Sequence, residues 1–275
     1  MNEAASTAPV IECERAAALM EPLTDLVIRA GAGILAVNRS AMKIDGKFDG
    51  SPGGDLAADR IIDEGLARLI AEVPVLSEER LHLAKPPYRG SFFLIDPLDG
   101  TKEFVAGRNE FTVNLALVTD GTPLLGIIGA PALGLIWRGL VGRGAERLTI
   151  RASSAQAATA IHTRRLPQPG KPWIAAVSRS HGDARTEAFI DARPGATRAE
   201  LGSAVKFARV AEGSVDIYPR LAPTSEWDIA AGHAIVTAAG GKVGDATGAS
   251  LKFGQGARDF IVPEFIAWGD PTAMD

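Results

Sequence analysis

An apolar run at residues 92 to 95, Phe-Phe-Leu-Ile, meets Asp96-Pro97-Leu98-Asp99-Gly100-Thr101, which sets two carboxylates and a hydroxyl within six residues. Proline fixes the chain direction between the aspartates and Gly100 permits a tight path, so both carboxylates can be aimed at one point. Two carboxylates held so close repel unless a cation sits between them. Hard oxygen ligands without nitrogen or sulfur favour Mg²⁺ or a similar ion. An Asp-Pro turn followed by an Asp-Gly turn accounts for the same residues without a metal. Glu78 and Glu79 end a second apolar segment, Val-Pro-Val-Leu, and read either as further ligands or as a solvated face. Asp228 stands three residues after Ser225, the spacing of a capping box at a helix start, a role compatible with binding a metal. Asp55 follows Gly53-Gly54 and opens a helix, either as its N-cap or as part of the site.

The elements that must position these groups follow from periodicity. Residues 24 to 37 place Leu26, Val27, Ala30, Ile34 and Val37 on one helical face, and residues 56 to 72 do the same with Ile62, Leu66, Leu69 and Ile70. Between them the charged, Gly-rich stretch KIDGKFDGSPGGD has no apolar period and reads as a surface loop. From Phe92 the pattern changes to strands: SFFLID, then FTVNLALV and PLLGIIGA about the turn Thr119 to Thr122, then GLIWRGLVG. This predicts a mainly antiparallel sheet. The stretch from 151 to 172, with ASSAQAATA and TRRLPQPGKP, reads as a linker. The chain therefore divides into an N-terminal lobe, 1–150, with the metal-binding carboxylates, and a C-terminal lobe, 151–275, with the last of them. The second lobe resumes with strand WIAAVS, a helix from Ser203, and a helix from Glu226 to Ala239 that Gly240-Gly241 ends.

Composition narrows the class. In 275 residues, 46% hydrophobic and 23% charged, there is ample apolar surface for a core, and disorder is excluded. A net charge of −4 offers no general field for nucleic acid or an anionic membrane and no basis for peripheral membrane association. An anionic substrate must then be met by local charge or by metal. One cysteine, Cys13, forms no internal disulfide, and four scattered histidines leave no soft-metal site. The N-terminus has acidic residues where a secretory signal is basic and apolar, so a soluble, cytoplasmic protein is expected.

Several motifs agree in order with one family. LSEE at 76–79, DPLDGTKEF at 96–104, FTVNLALV at 111–118, VSRSH at 177–181, AEGSVDIYPRLAPTSEWD at 211–228 and AAGHA at 230–234 resemble the inositol monophosphatase superfamily. TKEF, VSRSH and PTxEWD resemble in particular its CysQ-type 3′(2′),5′-bisphosphate nucleotidase branch. The resemblance implies an α+β fold, a layered α-β-α-β-α sandwich whose first sheet is mainly antiparallel. It implies that Glu78, Asp96, the main-chain carbonyl of Leu98, Asp99 and Asp228 hold Mg²⁺, and that Asp55, Thr101 and Glu78 serve the attack of water. It implies too that Asp99, Gly100, Thr101 and Asp228 border the phosphate being cut, with no covalent phosphoenzyme, and that lithium inhibits.

His181, Ser203, Lys206 and Arg220 match substrate contacts of the nucleotidases. The amides after Gly202-Ser203 would open a helix able to hold an anion, and Lys206 lies one turn on. As single polar residues they read equally as a surface histidine, a solvated lysine and a partner for an acid. Ser51 to Asp55 is two residues shorter than the branch's S-P-V-T-x-x-D run and lacks its threonine. The implied activity is removal of the 3′-phosphate from adenosine 3′,5′-bisphosphate to give AMP, with action on PAPS in sulfur assimilation. Inositol monophosphatase or fructose-1,6-bisphosphatase activity shares the metal-site motifs. A nucleotide-binding regulatory protein with residual catalysis is suggested by the shortened loop.

Overall fold

The computed structural model describes residues 8–37, 53–151, 154–155, 157–165, 171–180 and 182–274. Two helices come first, α1 (Cys13–Ala36) and α2 (Gly53–Leu69). The first sheet follows: β1 (Val75–Ser77), β2 (Ser91–Asp99), β3 (Thr112–Thr119), β4 (Thr122–Ala130), β5 (Leu135–Leu140), β6 (Gly144–Arg151) and β7 (Ser154–Ala155), in sequence order across the sheet. β8 (Thr159–Ile161) folds back to pair with β6, so this sheet reaches past residue 150. Only β1 joins it parallel to its neighbour. A short helix, α3 (Thr101–Val105), interrupts the run between β2 and β3. The β3–β4 hairpin turns on Asp120 and Gly121, both at positive φ (49° and 73°), the backbone a two-residue hairpin needs to match strand twist.

The second sheet has the order β10-β9-β11-β15-β13, from β9 (Ile174–Ser178), β10 (Thr197–Leu201), β11 (Ile217–Arg220), β13 (Lys242–Gly244) and β15 (Phe265–Trp268). Its β9 pairs are parallel and its β15 pairs antiparallel. β12 (Thr224–Ser225) and β14 (Ile261–Val262) make a separate two-stranded ribbon. The remaining helices are α4 (Ala184–Asp191), α5 (Val205–Ala211) and α6 (Glu226–Ala238).

Strand alternation sorts the side chains into layers. On β2, Phe93 and Ile95 pack with α1 and α2, while Phe92 and Leu94 point the other way into the cluster that holds α5 and α6. On β15, Phe265 and Ala267 join that middle cluster, and Ile266 and Trp268 face outward with Ile190 of α4. The result is helix, sheet, helix, sheet, helix, as the resemblance implied. No helix among the described residues is long and apolar enough to cross a membrane.

α6 occupies the middle layer and is buried on both sides. Ile229, Gly232, His233 and Val236 are buried as well as Trp227, Ala230, Ala231, Ala234 and Ile235. A helix between two sheets has no solvated face, and its hydrophobic periodicity is correspondingly faint. The approach is close: a side chain at Gly126 of β4 would lie 2.2 Å from the Ala231 carbonyl oxygen.

Burial of His233 makes stability depend on acid. Its ring meets Phe253 edge to face at 5.7 Å, and burial lowers its pKa to about 4. Folding thus favours the neutral ring. The stability it permits is complete above an unfolded pKa near 6.5 and is lost as pH falls through 4, by up to about 3 kcal/mol. In His233→Leu that loss is absent, so the stability difference between variant and wild type, from urea unfolding at pH 7 and pH 4, shifts by about that amount. A pH-independent difference would show that the ring is not held neutral.

Candidate active site and metal centre

Asp96 to Thr101 is positioned by a break in the β2–β3 ladder. Asp96 pairs with Asn114 and Asp99 with Thr112, so the register shifts by one residue between them at Pro97-Leu98. A bulge of this kind re-aims side chains. The sequence ends the strand at Asp96; it runs on through the bulge to Asp99, and Gly100 and Thr101 lead out of it into α3. The Asp96 carboxylate accepts the Leu98 amide at 3.1 Å, and the Thr101 hydroxyl donates to the Leu98 carbonyl at 3.3 Å. Asp99 accepts from Thr112 and from Asn114, each at 3.4 Å. Gly100 then turns the chain at φ 87° into α3.

Glu78 reaches the same place by another route. β1 runs parallel to β2 with Ser77 opposite Ile95, so the residue after each strand register lies beside the other: Glu78 beside Asp96. The Ser77 hydroxyl, 2.6 Å from the buried Asp59 carboxylate, ties this turn to α2, and Arg80 pairs with Asp59 at 2.9 Å. Asp55 is 5% exposed and lies inside the first turn of α2, not at the N-cap. Gly54 beside it packs within 3.7 Å of the Leu98 side chain. Asp228 comes from the start of α6, where Ser225 is the N-cap and the capping box forms. Its carboxylate also accepts from the Thr224 hydroxyl.

These carboxyl groups disturb one another. Burial, then the charges of Glu78, Asp99 and Asp228, raises Asp96 well above the carboxylate range. Desolvation, then repulsion by Asp228, Asp99 and Glu79, raises Glu78 to about 7. Glu78 and Asp96 stand within hydrogen-bonding reach of each other. Asp228 rises to about 6, chiefly by burial and then by Asp99, against the pull of Thr224 and Arg220. Among the described residues no three acidic or imidazole side chains close on a single point as they stand. Asp96, Asp99 and Asp228 turn instead to neighbouring hydroxyls and amides. An all-oxygen set in which Glu78, Asp96 and Asp228 are raised partly by the charges around them fits a divalent cation such as Mg²⁺, which removes the repulsion.

A cavity of about 280 Å³ opens beside this group, and its wall includes Asp99, Gly100, Thr101, Ser203, Lys206, Arg220 and Asp228. Lys206 is 3% exposed; its ammonium donates to the carbonyls of Ser203 (2.6 Å) and Leu201 (3.5 Å) and lies 5.3 Å from the centre of the Tyr218 ring. Burial, reinforced by Arg220, lowers its pKa to about 8 against the charges of Asp99, Asp228 and Glu110. Arg220 donates to the Pro223 carbonyl at 3.2 Å.

Ser203 departs from its expected place. The helix begins at Val205, two residues late, and the Gly202 amide is taken by the Glu110 carboxylate at 2.9 Å, so it offers nothing to an anion. Ser203 sits at φ 49°, and its hydroxyl reaches the carbonyls of Asp99 and Glu110, both at 2.9 Å. The contact needs glycine at 100, where a Cβ would lie 2.0 Å from the Ser203 oxygen. His181, residues 51 and 52 of the shortened loop, and residues 38–50 before it lie outside the described residues.

The cavity wall also holds Tyr218, Ser178, Ser180 and Thr224, which the sequence reading passes over. Tyr218 shares the two-residue strand period with Arg220 on β11, a signal that could have found it.

Comparisons with known proteins converge. The inositol monophosphatase family model matches residues 22–270. The protein named 3′(2′),5′-bisphosphate nucleotidase CysQ of Escherichia coli K12 is 36% identical over 246 residues, 86% of this chain and 94% of that one. Its namesake in Salmonella typhimurium is 37% identical over the same length and the same shares. The crystal structure of CysQ from Bacteroides thetaiotaomicron, a bacterial member of the inositol monophosphatase family, superposes with a TM-score of 0.73 at 33% identity, covering 91% of this chain and 97% of that one. An inositol monophosphatase from Zymomonas mobilis gives 0.72 at 26% identity, over 94% and 98%.

Proposed function

We propose, because this chain belongs to the inositol monophosphatase family, that it is a 3′(2′),5′-bisphosphate nucleotidase: water adds to phosphorus, the bond to the 3′-oxygen of adenosine 3′,5′-bisphosphate breaks, and AMP and inorganic phosphate leave. PAPS carries the same 3′-phosphate and is a second substrate of the site. The observation that carries this reading is one cavity lined both by metal-type carboxylates, Asp99 and Asp228, and by cations that include Lys206 and Arg220 beside Lys102. A phosphatase acting on a small monophosphate has use for the first group alone. A bisphosphate requires the second.

Glu78, Asp96, the Leu98 carbonyl, Asp99 and Asp228 would hold the Mg²⁺. Bound there, Mg²⁺ lowers the pKa of water and offsets charge on the phosphate and the leaving oxygen. Asp55 and Thr101 orient the attacking water, its proton ends on the Asp55 carboxylate with Glu78 assisting, and the departing 3′-oxygen takes a proton from solvent. Ser203 keeps the Asp99-Gly100 peptide in place through its hydroxyl. Lys206 and Arg220 bind the second phosphate, and His181 the nucleotide. No side chain forms a bond to phosphorus. The chain works as two lobes: the first, which β7 and β8 extend beyond the 1–150 expected from the sequence, carries most of the carboxylates, and the second, within 151–275, carries Asp228 and the nucleotide contacts.

Phosphate release from adenosine 3′,5′-bisphosphate, inositol 1-phosphate and fructose 1,6-bisphosphate, with and without Mg²⁺, tests the proposal. The nucleotide should have the highest kcat/KM, and a chelator should stop its hydrolysis. A sugar or inositol phosphate turning over faster, or undiminished rates in excess chelator, would overturn it.

A further inference from the structure

Arg179 stands between Ser178 and Ser180, both on the cavity wall, but does not itself line the cavity. Its guanidinium reaches the Glu110 carboxylate at 2.6 Å and that of Glu103 at 3.5 Å, and donates to the Glu200 carbonyl at 3.0 Å. Its backbone amide donates to the Leu201 carbonyl at 3.3 Å. Glu110 continues the path: its carboxylate accepts the Gly202 amide and its carbonyl accepts the Ser203 hydroxyl, each at 2.9 Å. Arg179 and Glu110 thus grip the segment from Glu200 to Ser203 along its length. That segment carries the two carbonyls, Leu201 and Ser203, that seat the Lys206 ammonium. It also crosses from the second sheet to the Asp99-Gly100 peptide of the first.

We propose that Arg179, acting with Glu110, is a positioning residue for substrate selection: it fixes the 200–203 segment and so sets where Lys206 presents its charge. The proposal rests on the reading of Lys206 as a contact to the second phosphate. Arginine suits the role because its planar fork donates in two directions at once, to Glu110 and to the Glu200 carbonyl, whereas a lysine ammonium keeps the charge without that fork.

Steady-state hydrolysis by the Mg²⁺-loaded protein is measured on adenosine 3′,5′-bisphosphate, adenosine 3′-monophosphate and p-nitrophenyl phosphate, for wild type, Arg179→Met, Arg179→Lys, Glu110→Gln, Lys206→Ala and the double variant Arg179→Met/Lys206→Ala. Arg179→Met should raise KM for the bisphosphate about tenfold with kcat within about twofold, and leave the small monophosphate within about twofold. Arg179→Lys should fall between it and wild type. In the Lys206→Ala background Arg179→Met should add less than about twofold, since both changes act on one contact. Equal proportional losses on both substrates, or a full effect on top of Lys206→Ala, would overturn the proposal. If Arg179→Met fails to fold, Glu110→Gln, which preserves shape, must show the same KM effect or the proposal fails. A wild type with no preference for the bisphosphate over adenosine 3′-monophosphate would instead defeat the functional reading, and the positioning role with it.

Discussion

Asp96→Asn and Asp99→Asn should each lower kcat for phosphate release by about a thousandfold while the protein stays folded. An amide keeps the shape of the side chain and its hydrogen bond to the Leu98 amide or from Thr112, but it removes the charge needed to hold a divalent ion. Loss of such a clamp costs several kcal/mol of barrier. Retention of more than about a tenth of wild-type kcat at saturating Mg²⁺ by either variant would show that the carboxylate it replaces does not serve the metal. Stability should move the other way. Asp96 is 2% exposed and surrounded by Glu78, Asp99 and Asp228, whose charges, after burial itself, push its pKa up. In the metal-free protein this is a cluster that folding has to tolerate. The neutral amide of Asp96→Asn relieves it, so thermal unfolding in EDTA should give this variant a Tm at or above that of wild type. Added Mg²⁺ should raise the Tm of wild type and do so far less for the variant.

The parts of this arrangement legible in the sequence are those written in contiguous residues. SFFLID, FTVNLALV and PLLGIIGA announce β2, β3 and β4 through β-branched and apolar runs, and Thr119 to Thr122 announces their hairpin. The first half of α1 gives little signal, because Cys13, Ala16, Ala17 and Met20 face inward at helical spacing with little hydrophobic weight, and Pro22 interrupts the pattern. The parallel pairing of β1 with β2 is invisible locally: nothing in Val-Leu-Ser says which strand lies beside it, yet this pairing alone brings Glu78 to Asp96. α4 is only eight residues long and buries just Thr186 and Ile190, too few for a period. The carboxylates were legible as residue types; the bulge that aims them was not, since a ladder shift depends on the partner strand. Arg179 carries no local signal, because its meaning lies in Glu200, which the parallel pairing of β10 with β9 sets beside it, and in Glu110, which comes from the side of the first sheet.

Lys206→Ala should lower kcat/KM for adenosine 3′,5′-bisphosphate by about ten- to a hundredfold, the worth of a desolvated charge-assisted contact of roughly 1.5 to 3 kcal/mol. The loss on a small monophosphate should be distinctly smaller, so the ratio between the two substrates is the quantity to follow. Arg220→Ala should shift that ratio in the same direction. The pH profile gives an independent reading. Burial depresses the Lys206 pKa to about 8 in the folded protein, so the ammonium is present below that pH and lost above it. Because kcat/KM reports ionisation in the free enzyme, wild-type preference for the bisphosphate should decline as pH rises from 7 to 9, and the decline should be missing in Lys206→Ala. The same sign predicts a stability effect. A lysine whose pKa is lower folded than unfolded opposes folding at neutral pH, and this opposition fades between about pH 8 and the unfolded value near 10.5. Lys206→Met, which retains much of the apolar stem, should therefore be at least as stable as wild type at pH 7, and its advantage should shrink toward pH 10. A variant that loses activity equally on both substrates and also loses stability would place Lys206 in the framework of the α5 turn, with its ammonium serving the carbonyls of Leu201 and Ser203 and no phosphate at all.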